Sequence, residues 1–70
     1  MSESLGEALP KEQARVRGLI VRYRDPVMNG AGELSAMMME RSLKAADQAV
    51  ISGDLTAMVN AYQDLKEWTG

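Results

Sequence analysis

The segment AVISGDLTAM, residues 49–58, decides the fold because it holds the end of one helix and the start of the next. Gly53 stands where helices commonly end on a left-handed residue, and Asp54 is a favoured N-terminal cap. Apolar residues recur at helical spacing on both sides of this turn. The sequence therefore predicts two antiparallel helices, about 32–52 and 54–68, that form a helical hairpin.

Each helix of the predicted hairpin carries an apolar stripe that we expect to be buried. In the second helix of the chain the stripe consists of Ala36, Met39, Leu43, Ala46 and Val50. In the third helix it consists of Leu55, Met58, Val59, Tyr62 and Leu65. Small residues beside the first stripe favour close packing between these two helices.

The chain before the hairpin predicts a first helix and a loop. The stretch PKEQARVRGLIVRYR, residues 10–24, begins with proline, which the first helical position tolerates, and Pro26 disfavours continuing the helix. Ser4 and Glu7 match a capping-box spacing, but a helix that started there would contain Pro10. The predicted segments are a flexible N-terminus at 1–9, a first helix at 10–24 and a loop at 25–32, with 10–70 as a single domain.

The first helix also has a predicted buried stripe, which consists of Val16, Leu19, Ile20 and Tyr23. Gly18 lies among these residues and weakens the helix, so we expect it to mark a close helix crossing.

Composition supports an all-α fold of three helices and excludes several classes of function. The 70 residues include six Met, one Trp, two Tyr and no Phe, a balance that favours helices over strands. The chain has no Cys and no His, which excludes disulfides and zinc sites built from those residues. We expect no cofactor. Without a long apolar run or a signal-like N-terminus, we expect no membrane association and a cytoplasmic location.

Three consecutive methionines, Met37 to Met39, raise the question of what the second helix contacts. They spread across about 200° of the helix surface, which is more than one buried stripe needs. One interpretation is adaptable core filling; the other is a second apolar face that binds a partner. The candidate partner-binding residues are Met37, Ile51, Lys44, Met38 and Trp68.

Two features of the sequence concern assembly. Trp68 either closes the end of the helical bundle or anchors a partner, since aromatic residues dominate binding hot spots. A three-helix monomer of this size cannot bury all the large apolar residues that its helices carry. We therefore expect a homodimer or a partner-bound form.

Charge is unevenly distributed along the chain, although the net charge is only −2. The first helix carries five cations, which define a candidate basic face: Lys11, Arg15, Arg17, Arg22 and Arg24. They either bind phosphates of a nucleic acid or form a solvated face that pairs with acids elsewhere in the chain. Glu33, Glu40 and Asp47 recur every seven residues, and we expect neither catalysis nor metal binding from them.

Two resemblances add to this interpretation. AADQAVISGDLTAMVNAYQDLKEW, residues 45–68, is similar to the helix junction of a tetratricopeptide repeat, with small residues, a Gly-Asp turn and an Ala-Tyr pair. The repeat period and the Trp–Leu-Gly–Tyr opening are absent. The resemblance therefore implies helix-hairpin packing and not a peptide-binding groove.

The chain as a whole resembles small helical proteins of proteobacterial phages and prophages. The resemblance rests on an LPxxxARVR opening, a Pro/Gly-rich break and an L..AD.A…GD..AM…Y..LK.W pattern, here Leu9 to Arg17, 25–32 and Leu43 to Trp68. It includes no catalytic motif and implies an accessory protein that binds another protein.

From these features we expect a small non-enzymatic protein–protein interaction module that acts stoichiometrically on a host or phage protein. The alternative is a small nucleic-acid-binding regulator that uses the basic first helix.

Overall fold

The computed structural model describes residues 4–69 of the chain and consists of three α-helices. Helix α1 spans Leu5–Tyr23, α2 spans Glu33–Ser52 and α3 spans Leu55–Lys66, with a short 3-10 turn at Pro26–Met28. No strand occurs within the described residues. The all-α prediction is confirmed.

The three helices pack against one another around one hydrophobic core. Contacts of Arg24 with Glu33, and of Gln13 with Asp47, place α1 and α2 antiparallel. The turn after α2 makes α3 antiparallel to α2 and parallel to α1. The largest fully buried side chains are Leu9, Val16, Met39 and Leu65. Each helix therefore contributes to a core shared by all three.

The turn Ser52-Gly53-Asp54 has the predicted structure. Gly53 is left-handed (φ 70°), and its N–H donates to the carbonyl groups of Ala49 and Val50. The Asp54 carboxylate accepts a hydrogen bond from the Ala57 N–H at 3.2 Å, which caps α3. Helix α3 ends at Lys66 rather than 68, because the Trp68 N–H already bonds to the Leu65 carbonyl three residues back.

Helix α1 begins five residues before the predicted start. The structure places residues 5–9 in this helix, where the sequence predicted a flexible segment, and residues 1–3 lie outside the described residues. Pro10 is consequently inside the helix and cannot donate the hydrogen bond of a normal helical residue. Leu9 is fully buried and Leu5 packs against the core, so apolar burial outweighs the proline penalty.

The loop between α1 and α2 lies where the sequence predicted it. The Asp25 carboxylate accepts a hydrogen bond from the Val27 N–H at 2.9 Å, and Asn29 and Gly30 are left-handed. Gly32 is buried at the start of α2. A Cβ atom there would lie 2.3 Å from the Tyr23 carbonyl oxygen, so the close approach that the sequence placed at Gly18 occurs at Gly32. Gly18 has no atom within 4 Å of the position of its absent Cβ.

In the stripe predicted for α1, Val16, Leu19 and Ile20 are buried and Tyr23 is partly buried, while the stripes of α2 and α3 need correction. Val50, Leu55 and Val59 were predicted to be buried, yet they are 46%, 66% and 40% exposed. Ala49 and Ala61 are buried in their place. Alanine allows two helices to approach closely, so α2 and α3 meet along their alanines and leave the larger side chains at the edge.

None of the helices in residues 4–69 combines the length and the apolar character that crossing a membrane requires.

Candidate interaction surfaces

The side of α2 that faces away from the core carries a line of residues seven apart, Met37, Lys44 and Ile51. We call it the Met37–Ile51 line. Met37 is 51% exposed and Ile51 is 85% exposed, with Lys44 also exposed between them. Fourteen helical residues separate the two ends by about 21 Å. The structure therefore brings the three predicted residues onto one exposed line.

The other two methionines of the triplet have different surroundings. Met39 is fully buried at the centre of the core. Met38 lies beside α3, where it lines a shallow groove with Asp64, Glu67 and Trp68. The small-residue side of α2 contacts α3, and the acidic side contacts α1.

Trp68 closes the end of the bundle between α2 and α3. Its ring packs against the core and is partly buried, and its Nε1–H donates to the Ser42 hydroxyl at 3.2 Å. This position agrees with the closure interpretation of the sequence. The exposed part of the ring still lines the groove with Met38, so Trp68 also contributes to the surface.

Two arginines of the basic face form ion pairs with α2. Arg17 lies 3.6 Å from Asp47, and Arg24 contacts Glu33 at 3.3 Å and also Glu40. The hydrogen bond that Arg24 donates to the Glu40 carboxylate, followed by its contacts with Glu33, raises the pKa of Arg24 above its ordinary value. The attraction between the basic first helix and the acidic second helix therefore acts within one chain.

Arg15 holds the end of α3, a role that the sequence analysis did not identify. Its Nη1 donates to the Trp68 carbonyl at 2.7 Å, and its Nη2 donates to the Leu65 carbonyl at 2.8 Å. The last carbonyls of a helix lack partners inside the helix and carry partial negative charge, so a guanidinium satisfies them well. One sequence feature could have indicated this role: no glycine follows directly after α3 to provide the usual C-terminal cap.

The remaining cations of the predicted basic face, Lys11 and Arg22, are exposed on α1. The structure therefore divides the five cations among different roles and does not assemble them into one free basic surface.

The acidic line of α2 lies toward α1. Asp47 accepts a hydrogen bond from the side chain of Gln13 at 2.8 Å, and Gln13 is a buried polar residue that the sequence analysis missed. Glu33 and Glu40 both contact Arg24. Within residues 4–69 no three acidic side chains come together in a way that could hold a metal ion.

A second exposed surface, on the side of α2 toward α3, was not predicted from the sequence. Leu34, one turn before Met38 on α2, is 70% exposed. Arg41 and Ala45 continue the same line along α2 and are exposed. This line borders the grooves between α2 and α3, whose walls are formed by Met38, Ala45, Ala57, Asn60, Ala61, Asp64, Glu67 and Trp68.

Comparison of the chain with protein-family models, with curated proteins and with solved structures finds no match.

Proposed function

We propose that this protein is a non-enzymatic protein–protein interaction module that acts as a homodimer and binds another protein stoichiometrically. The observation that carries the proposal is the Met37–Ile51 line, whose apolar ends are 51% and 85% exposed on a regular helix. Exposed apolar surface on a small domain is typical of docking sites. Flexible methionine side chains suit an adaptable contact with a partner helix or groove.

Lys44 gives this line a charge as well as an apolar surface. It lies midway between Met37 and Ile51, and within residues 4–69 it forms no ion pair with an acid. Its aliphatic stem can lie along apolar surface while its ammonium group meets an acidic group of the partner. The resemblance to phage and prophage proteins supports the same role, that of an accessory protein acting on a host or phage protein.

The nucleic-acid alternative receives less support. Arg17 and Arg24 are paired with acids, and Arg15 is bonded to carbonyls of α3. To bind phosphates these side chains must leave partners that also hold the fold together. A gel-shift assay with DNA and RNA at about 50 mM salt is expected to show no binding, and salt-dependent binding would favour the alternative.

The first test changes both ends of the Met37–Ile51 line. The double variant Met37→Glu with Ile51→Glu is expected to retain its helical circular dichroism, because both side chains are exposed in the folded chain. In affinity capture from the cell that contains the protein, a binding protein held by the wild type is expected to be lost. Calorimetry with that protein, once purified, is expected to give one partner per chain.

A matched control adds the same two negative charges on α3. Thr56→Glu with Gln63→Glu changes two exposed polar residues of α3 and is expected to leave capture unchanged. Equal loss in both variants would mean that charge alone, and not the Met37–Ile51 line, governs binding. Unfolding of the Met37/Ile51 variant would mean that this line belongs to the core, which contradicts the proposal.

A further inference from the structure

The surface formed jointly by α2 and α3 has the properties of a self-complementary interface. We define the α2–α3 face as Leu34, Met38, Arg41 and Ala45 on α2, together with Ala57, Asn60, Asp64, Glu67 and Trp68 at or after α3. Shallow grooves run along the seam between the two helices on this face. The Met37–Ile51 line runs along the adjoining side of α2, where Met37 lies one helical turn from Arg41.

Charge separates the two halves of this face. The α2 half carries a cation, Arg41, and no acid, whereas the α3 half carries Asp64 and Glu67 and no cation. Within residues 4–69 none of these three side chains forms an ion pair with an opposite charge, although Arg15, Arg17 and Arg24 do. The face therefore presents a positive edge beside a negative edge, both available to a second molecule.

The positive and negative groups lie at the same height along the hairpin. Arg41 is three residues after Met38 and four before Ala45, so it lies between them on one side of α2. Met38 and Ala45 each share a groove with Asp64. Asp64 is therefore level with Arg41, on the neighbouring helix.

Symmetry then restricts how two copies of this face can meet. A two-fold axis parallel to the helices places α2 of one copy over α3 of the other and preserves height, so each Arg41 meets Asp64 of the second copy. A two-fold axis perpendicular to the helices places α2 over α2 and brings cations together, which is unfavourable. The charges thus favour the parallel axis and an isologous contact.

The apolar residues of the face suit the same arrangement. Leu34 is 70% exposed and Met38 is 48% exposed, and both lie at the end of the bundle that Trp68 closes. With the axis parallel to the helices, these residues from both copies meet at one end and form a shared apolar cluster. At the other end Ala45 and Ala57 are small, which allows the helices of the two copies to approach closely.

We propose that the α2–α3 face binds a second copy of this chain in a two-fold symmetric dimer, held by two Arg41–Asp64 ion pairs and an apolar cluster of Leu34, Met38 and Trp68. This assignment rests on the proposed function, since it locates the homodimer named there. The face covers residues 34–45 on α2 and 57–68 at or after α3, which present roughly 400 Å² on each copy, or roughly 800 Å² in total. That area is small for a specific interface, so we expect a weak dimer.

The test uses charge reversal and mixing. Arg41→Glu makes the face wholly acidic, and Asp64→Lys makes it basic except for Glu67. Each variant alone is expected to dimerise at least tenfold more weakly than the wild type in sedimentation equilibrium.

An equimolar mixture of the two variants is expected to form a heterodimer with near wild-type affinity, because the glutamate introduced in one variant then faces the lysine introduced in the other. Native mass spectrometry identifies this heterodimer by its mass. Arg22→Glu, which makes the same charge change on the exposed side of α1, is expected to leave dimerisation unchanged.

Several results would overturn the proposal. A wild-type chain that stays monomeric at about 1 mM overturns it together with the homodimer. A dimer that is unaffected by both charge reversals, or reversals that the mixture does not rescue, would overturn only this assignment of the face. Should either reversal unfold the chain, Met38→Gln supplies the test instead, and unweakened dimerisation in that variant would also overturn it. Partner capture by the Met37–Ile51 line is measured separately, so its outcome stays distinguishable.

Discussion

At the residue scale, Gly18 and Gly32 differ in what surrounds them. Gly18 lies on the exposed side of α1 and faces open space, whereas Gly32 is buried against the backbone of Tyr23. Neither has a positive φ. The difference between them is therefore steric, and only Gly32 needs to lack a side chain.

We predict opposite effects of alanine at these two glycines. Gly18→Ala is expected to raise the free energy of unfolding by about 0.5–1 kcal/mol, because alanine restricts the unfolded chain and favours helix. Gly32→Ala is expected to lower it by about 1–3 kcal/mol, since the new Cβ would overlap the Tyr23 carbonyl, a backbone atom that cannot rotate away. Urea unfolding followed by circular dichroism measures both. Equal effects of the two substitutions would contradict the close approach at Gly32.

At the element scale, the start of α1 shows how tertiary packing overrides a local signal. Proline predicts a helix start at Pro10, and the capping-box spacing of Ser4 and Glu7 predicts an earlier one. The structure has the earlier start, although the Ser4 side chain makes no capping hydrogen bond. The burial of Leu9 and the packing of Leu5 on the core favour the additional helical turn.

We predict that Pro10→Ala stabilises the protein by about 1–3 kcal/mol, because alanine restores an N–H to the helix and removes the clash of the ring with the preceding turn. Slower hydrogen exchange of the amides in residues 5–10 is expected to accompany the change. Pro26→Ala is the control. Pro26 lies in the loop, where replacing proline only increases the conformational freedom of the unfolded chain. The free energy of unfolding of the Pro26→Ala variant is therefore expected to be slightly lower than that of the wild type. If Pro10→Ala has no effect, α1 begins at Pro10 in solution.

At the scale of the whole molecule, polar contacts fasten α1 to both of its neighbours. Gln13, Arg17 and Arg24 contact acids of α2. Arg15 contacts carbonyls at the end of α3, together with Glu12 of its own helix at 2.9 Å. Hydrophobic burial has no preferred direction, so these polar contacts of α1 help to fix the orientation of the helices around the core.

We predict that Arg15→Met lowers the free energy of unfolding by about 1–3 kcal/mol, because the carbonyls of Leu65 in α3 and of Trp68 just after it lose charged hydrogen bonds. Methionine keeps much of the aliphatic stem, so the loss reports mainly on the guanidinium. Arg22→Met, on the exposed side of the same helix, is expected to change stability by less than about 0.5 kcal/mol. Comparable losses for both variants would show that Arg15 contributes general charge and not a bond to α3.

The sequence by itself determined the number of helices, the turn at Gly53 and Asp54, the loop at 25–32 and the buried stripe of α1. These features depend on local physics: helical periodicity, capping and backbone conformations that one stretch of chain adopts regardless of its neighbours. It also predicted the Met37–Ile51 line, since residues seven apart lie on one side of any helix.

Only the tertiary structure decided which side of each helix meets which neighbour. The rotation of α3 toward Ala61, the position of Met38 beside α3, the additional turn of α1 and the contact of Arg15 with α3 all depend on that choice. The physical reason is that periodicity defines an apolar side but not its partner. How closely two helices can pack depends on where small residues of one lie opposite small residues of the other. The sequence of a single segment does not specify that match.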